Sequence, residues 1–282
     1  MSGQTRREFL ASLGTAAALS ALPGPNILRA SSCSTESHPA IPFELGIASY
    51  TFRSFPLEKV IEMTARLGVR KLTLKDMHLP LHSSETEIRA ALEKISSAGL
   101  TLASAGVVYM KSEQEIRNAF AYAKMAGIKF VVGVPEQSLL GVAERYVKET
   151  GISLAIHNHG PNDERFPSPE SAYRSVEKMD RGMGLCIDIG HTRRLGLDPS
   201  ADFERFFDRV FDIHIKDVSS ADAKGGTVEI GRGVIDIPEF LTTAKRLRYQ
   251  GTLHFEFEKD EKDPLPGLAE SIGYVRGALA NI

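Results

Sequence analysis

The chain of 282 residues contains no tryptophan and only two cysteines, Cys33 and Cys186. Two thiols so far apart supply no disulfide framework, so apolar packing must hold the fold together. Charge of one sign is also lacking: 34 Lys and Arg stand against 36 Asp and Glu, a formal net charge of −2. That balance argues against nucleic acid as a partner, because neutralising phosphates requires a basic face. No GxGxxG turn follows the first strand-like segment and no P-loop is present, which removes the common nucleotide-binding layouts. The one alanine-rich apolar run, near the N-terminus, is too short to cross a bilayer stably. What remains, 42% hydrophobic and 25% charged residues, is the composition of a globular protein with a sizeable core.

The N-terminal segment reads as a targeting signal and not as part of the fold. "TRREFLASLGTAAALSALPG" places Arg6 and Arg7 before an apolar stretch ending near Leu22, followed by small residues. The arginine pair resembles a twin-arginine export signal, which a receptor reads and which leaves no stable membrane insertion after its removal. Residues 1–32 are therefore expected to be a signal, 33–41 a polar linker, and 42–282 the folded domain of an exported, periplasmic protein.

From Pro42 onward strand-like and helix-like segments alternate eight times. "FELGIASYTF" precedes the helix "PLEKVIEMTARLG", and the pattern continues to "TLHFEFE" and the closing "LPGLAESIGYVRGAL". Eight such units predict an α/β fold, a (β/α)8 TIM barrel, with its active site at the C-terminal ends of the strands. The segment from Ser219 to Gly233 is long and rich in glycine, as loops that cover a site often are.

Side chains alternate along a strand, so residues two apart face the same way. In the fifth strand Leu154 and Ile156 oppose His157 and His159. In the sixth, Leu185 and Ile187 oppose Cys186 and Asp188. Ile213 and Ile215 oppose Asp212, His214 and Lys216 in the seventh, and Leu253 and Phe255 oppose His254, Glu256 and Glu258 in the eighth. In the second strand Lys71, Thr73 and Lys75 share a face. The aliphatic parity must pack under the helices, which leaves the polar parity to the barrel interior.

Each of these residues alone is an ordinary polar strand end. Four ionisable groups converging from four consecutive strands are different, because burying unpaired charge is costly. A divalent cation offsets that cost. Mixed imidazole and carboxylate donors suit Zn, Mn, Fe or Co better than Ca or Mg. The expected ligands are His157, Asp188, His214 and Glu256; His159 either replaces His157 or stands outside as an acid/base.

"GLCIDIGH", "DIHIKD", "GRGVIDIPEF" and "GTLHFEFE" resemble motifs of the xylose isomerase-like barrels, usually called sugar phosphate isomerases/epimerases. The resemblance covers essentially all of Pro42 to Ile282. In that superfamily Glu, Asp, His and Glu from strands five to eight hold a divalent metal (here Mn, Zn or Co), and Asp188, His214 and Glu256 match the last three. By the same resemblance His191 and Arg232 are expected to contact substrate. The first ligand departs: where an epimerase reads Leu-Ala-Leu-Glu, this chain reads Leu154-Ala155-Ile156-His157. The His-Asn-His ending is shared with some relatives, and these together with inosose dehydratase-like members imply elimination or hydration of keto-sugars.

A metal that binds a sugar's carbonyl and neighbouring hydroxyl oxygens stabilises an enediolate as the intervening proton leaves. Glu256, Glu258, His159 and Lys75 are the candidate proton carriers, and Lys216 and Glu258 candidate substrate contacts. Lys75 and Lys216 orient hydroxyls, hold an acidic substituent, or merely snorkel at the rim. Isomerisation or epimerisation of a small, non-phosphorylated sugar is the primary expectation, and lyase or hydratase chemistry the alternative. Two other classes weigh less: a metal-dependent DNA endonuclease, which needs a basic face, and a non-catalytic sugar-binding barrel, which needs no proton carriers. The helical exterior of such a barrel also suits a homo-oligomer.

Overall fold

The alternating apolar segments close into a barrel of eight parallel strands, described by a computed structural model for residues 42–282. The expected signal (1–32) and linker (33–41), including Cys33, lie outside the described residues. The strands are β1 (Glu44–Ala48), β2 (Lys71–Leu74), β3 (Thr101–Met110), β4 (Phe130–Pro135), β5 (Ser153–His157), β6 (Met183–Asp188), β7 (Val210–Ile215) and, after a two-stranded ribbon, β10 (Thr252–Phe255). Each pairs in parallel with its neighbours, and β10 pairs with β1 to close the ring.

The helices begin where the sequence supplies caps. Ser84 and Glu87 form a reciprocal capping box at the start of α2 (Glu85–Ser97), and Ser168 with Ser171 does the same ahead of Pro169 in α5 (Pro169–Val176). Asp236 accepts from the Glu239 amide to start α8 (Ile237–Arg246). The remaining helices are α1 (Leu57–Arg66), α3 (Glu113–Ala126), α4 (Leu140–Thr150), α6 (Ile189–Arg193), α7 (Pro199–Phe206) and α9 (Leu265–Leu279). No helix among the described residues is long and apolar enough to cross a membrane.

The aliphatic parity packs outward under these helices: Leu154, Ile156, Leu185, Ile187, Ile213, Ile215, Leu253 and Phe255 are all buried. Each such side chain contributes about 1.5–3 kcal/mol of burial. Of the polar parity, Thr73, Cys186, Asp188, Asp212, His214 and His254 are equally buried inside the barrel. There Thr73 accepts from Ser104 at 2.7 Å, and His254 meets Asp212 at 2.7 Å. Gly46 makes room for that pair, since a Cβ there would lie 2.4 Å from His254 Cδ2.

Three local features differ from the sequence reading. β1 ends at Ala48 and gives way to a single 3₁₀ turn, Ser49–Phe52, which buries Phe52 in the core and leaves Tyr50 partly exposed. α6 follows β6 at once because the Asp188 side chain accepts from the His191 amide and caps it. The glycine-rich loop contains an antiparallel ribbon, β8 (Asp217–Val218) with β9 (Thr227–Val228). The buried Asp217 carboxylate organises this loop by accepting from the amides of Val218, Gly231, Gly233 and Ile235.

Candidate metal centre and cleft

Strand register carries four of the expected residues to one point. His157 pairs with Cys186 and Asp188 with His214 across adjacent strands, while Glu256 lies one residue past the end of β10. One donor atom from each of His157, Asp188, His214 and Glu256 falls within 4.8 Å of the others, and all four residues are buried. His214 Nδ1 is 3.1 Å from His157 Nε2 and 3.2 Å from Glu256 Oε2, and His157 Nε2 is 3.6 Å from Asp188 Oδ2. Donors bonded to one ion at about 2.0–2.2 Å stand about 3–4.4 Å apart, so little adjustment would let all four bind.

The electrostatics point the same way. Asp188, Glu256 and Glu258 surround one ammonium, that of Lys216, whose Nζ lies 2.9 Å from Asp188 Oδ2 and 2.8 Å from Glu256 Oε2 and also bonds Glu258. Three carboxylates face one ammonium, and His214, whose imidazole Glu256 holds above its ordinary value against burial, is the neighbour that shares the positive charge; a divalent cation would supply it in full. Burial alone would raise both inner carboxyls. Lys216 with His191 instead holds Asp188 below the usual range, and Lys216 with His214 does so for Glu256. Burial would lower Lys216, yet the three carboxylates keep it well above an ordinary lysine. Burial holds the His157 imidazole well below its ordinary value, leaving it neutral and able to ligate.

Outer groups fix these donors. Asn158, between the two histidines, accepts from the Asp188 amide at 2.9 Å and donates to the Asp188 carbonyl, tying the end of β5 to β6. His214 Nε2 faces Asp212 Oδ2 at 3.9 Å, and Asp212 Oδ1 is held by His254. At that separation neither of the facing atoms has a hydrogen-bond partner. A carboxylate behind a ligating imidazole orients the ring and fixes its tautomer. Gly190 leaves space for the Lys216 stem, whose Cγ would lie 2.3 Å from a Cβ at that position.

Above the cluster opens a chamber of about 240 Å³. Of the two histidines in the His-Asn-His ending, His157 joins the cluster and His159 stands outside it on the chamber wall. His159 Nε2 is 3.0 Å from the Tyr109 hydroxyl, the rings stack, and burial lowers the imidazole to about 4. His191, Glu258, Lys75 and Tyr50 complete most of the lining. Lys75 Nζ donates to the Val107 carbonyl at 2.7 Å, and burial lowers it from an ordinary lysine.

Two expected substrate contacts are placed differently. Lys216 is engaged as the counter-charge of the cluster and not as a free arm. Arg232 is not in the chamber: it forms a two-pronged pair with Glu270 at 2.5 and 2.7 Å on the exposed surface, because Gly231 and Gly233 are anchored on Asp217. Tyr109 was not among the residues that strand parity brought to the site. The signal was the run "VVYM", which extends the strand to Met110.

Comparison with known proteins fits this geometry. A family model described as "Xylose isomerase-like TIM barrel" matches residues 111–278. "Rhizopine catabolism protein MocC" of Rhizobium meliloti is 30% identical over 153 residues, 49% of this chain and 46% of that protein, so the chain matches about half the length of this curated relative. Among solved structures, the IOLI protein with a bound zinc atom aligns with a TM-score of 0.68 at 17% identity, covering 85% of this chain and 97% of the other. The 3-keto-D-glucoside 4-epimerase YcjR of E. coli aligns with a TM-score of 0.68 at 14% identity, covering 83% and 99%.

Proposed function

The chain belongs to the xylose isomerase-like TIM barrel family, and we propose that it is a divalent-metal-dependent enzyme that moves a proton next to the carbonyl of a sugar or keto-sugar, in the manner of an isomerase or epimerase. The observation that carries this reading is the buried convergence of His157, Asp188, His214 and Glu256 beneath a chamber walled by further proton carriers. A cation such as Mn, Zn or Co held by those four would polarise the substrate carbonyl as a Lewis acid.

The chain's own groups account for the rest. His159 accepts the α-proton on one wall, oriented by Tyr109. The His159 imidazolium can return that proton to carbon, Glu256 and Glu258 as carboxylates can shuttle the hydroxyl proton between the enediolate oxygens, and Lys75 and His191 hold substrate oxygens at the rim. Glu256 thus serves both the cluster and the substrate, as the resemblance implies. Return to the neighbouring position gives isomerisation; return to the opposite face of the same carbon gives epimerisation. One observation favours a second reading, lyase or hydratase chemistry: the His159–Tyr109 pair places an imidazole and a hydroxyl together, a proton source for a departing oxygen.

Incubating the Mn²⁺-loaded protein in D₂O with ketohexoses, inososes and 3-keto-glucosides tests the proposal. Deuterium wash-in accompanied by a new sugar isomer is the expected result, whereas an enone signal selects the second reading. No exchange from any of these substrates, with metal demonstrably bound, would overturn both. Export through the twin-arginine route, drawn from Arg6 and Arg7, completes the proposal; a reporter fused behind residues 1–40 should reach the periplasm and fail to do so in the Arg6→Lys/Arg7→Lys variant.

A further inference from the structure

The chamber over the metal cluster is small for a ligand site. At about 240 Å³ it falls below the roughly 300–1,000 Å³ typical of small-molecule pockets. A second cavity of about 630 Å³ adjoins it, and Lys75, Val107 and Tyr109 line both. The metal chamber is thus the inner end of a larger cleft formed with the loop after β2 and the end of β3.

The outer cavity has a distinct character. Six large hydrophobic side chains are substantially exposed among the described residues, and two of them, Met77 (49%) and Tyr109 (42%), stand on this cavity with Leu81 nearby. Its charges cancel: Lys75 and Lys111 are matched by Asp76 and Glu115. One of the three Lys75 ammonium donors is taken by the Val107 carbonyl, and Glu115 accepts from the Lys111 amide. Such a lining does not gather positive charge for a phosphate. It offers apolar faces edged by polar groups such as Asn118, the surface that a neutral ring with hydroxyl edges requires.

We propose that the outer cavity is a subsite for the second ring of a glycoside, so that the substrate is a neutral two-ring keto-glycoside whose oxidised ring sits over the metal cluster. This rests on the keto-sugar reading above and deepens it: Tyr109 and Lys75 lie where the glycosidic link passes from one chamber to the other.

The test compares 3-keto-glucose with 3-keto-cellobiose and a 4-nitrophenyl 3-keto-glucoside in the deuterium-exchange assay, using the Mn²⁺-loaded protein and its Leu81→Trp and Met77→Ala variants. The glycosides should show kcat/KM at least tenfold above the free sugar. Leu81→Trp, which fills the cavity, should remove that advantage through KM while leaving the free sugar unchanged, and Met77→Ala should weaken it. Equal rates for one-ring and two-ring sugars, or an equal loss for both in Leu81→Trp, would overturn the subsite while leaving the keto-sugar chemistry standing. Should no sugar exchange, saturation-transfer NMR with unreactive cellobiose decides the subsite separately. Contact to both rings, lost from one ring in Leu81→Trp, supports it, and absence of second-ring contact refutes it. Preferential turnover of fructose 6-phosphate over the glycosides would also refute it.

Discussion

His157 Nε2 and His214 Nδ1 face each other at 3.1 Å inside a barrel that excludes water from both rings. Two imidazole lone pairs at that distance repel unless a proton or a cation lies between them. With Asp188 and Glu256 completing the circle, the arrangement could hold a divalent cation, with histidine where the family resemblance implies glutamate as the first donor. The consequences can be checked one residue at a time.

Asp212 stands behind His214 and is itself fixed by His254. Asp212→Asn keeps the volume and removes the charge that stands 3.9 Å behind the His214 ring. Metal affinity is expected to fall by about 10–100-fold, the usual effect of losing such a group. A chelator-competition titration with Mn²⁺ or Zn²⁺ reads this directly, and an unchanged affinity would show that Asp212 serves only the packing of His254.

Among the described residues Lys216 is the sole ammonium in contact with Asp188 and Glu256. Lys216→Met leaves those carboxylates unpaired, and breaking a buried pair in this way costs about 3–5 kcal/mol. A bound divalent cation would supply the missing positive charge. Thermal melts should therefore show a larger loss in EDTA than with metal, and an equal loss in both would separate Lys216 from the cation site.

Arg232 tests the other direction, since the resemblance assigns it to substrate while the structure pairs it with Glu270 at the surface. Exposed pairs contribute about 0–1 kcal/mol. Arg232→Ala should leave both Tm and kcat/KM nearly unchanged, and a loss of activity of a hundredfold would return the side chain to the substrate.

Asp202 yields a pH-dependent outcome. Burial raises its carboxyl from 3.8 to about 6; Arg205 opposes this, and Glu170 and Asp198 reinforce it. Its Oδ2 has no hydrogen-bond partner. The folded chain therefore holds this proton more tightly than the unfolded chain. The associated stability is present below pH 3.8 and is lost as the pH rises through about 6. Asp202→Asn should raise Tm at pH 7.5 by about 2–4 °C, the effect of about 1 kcal/mol in a domain of this size, with no gain at pH 3.5. A gain of equal size at both values would point to helix propensity instead of the proton.

The barrel was legible because its strands carry strict alternation: Leu185 and Ile187 against Cys186 and Asp188 can be assigned to opposite faces without any contact information. Parity also placed His157, Asp188, His214 and Glu256 together, since neighbouring parallel strands keep their ends level. What escaped depends on local hydrogen bonds that parity does not register. α6 exists because Asp188 caps it, and Arg232 is turned outward because Asp217 gathers the amides on either side of it. Parity placed Lys216 in the interior but could not show that three carboxylates would claim its ammonium. Tyr109 carries no charge for parity to single out, and it reaches the chamber only because β3 runs on past "ASAG" to Met110.

The most direct measurement is a Mn²⁺ titration of the EDTA-stripped protein, followed by electron paramagnetic resonance, on the native chain and on Asp188→Asn and Glu256→Gln. One tight site per chain in the native protein, with binding lost or greatly weakened in both variants, is the expected result. Absence of a tight site, or an unaltered site in variants shown by circular dichroism to be folded, would contradict the assignment of these four side chains to a metal.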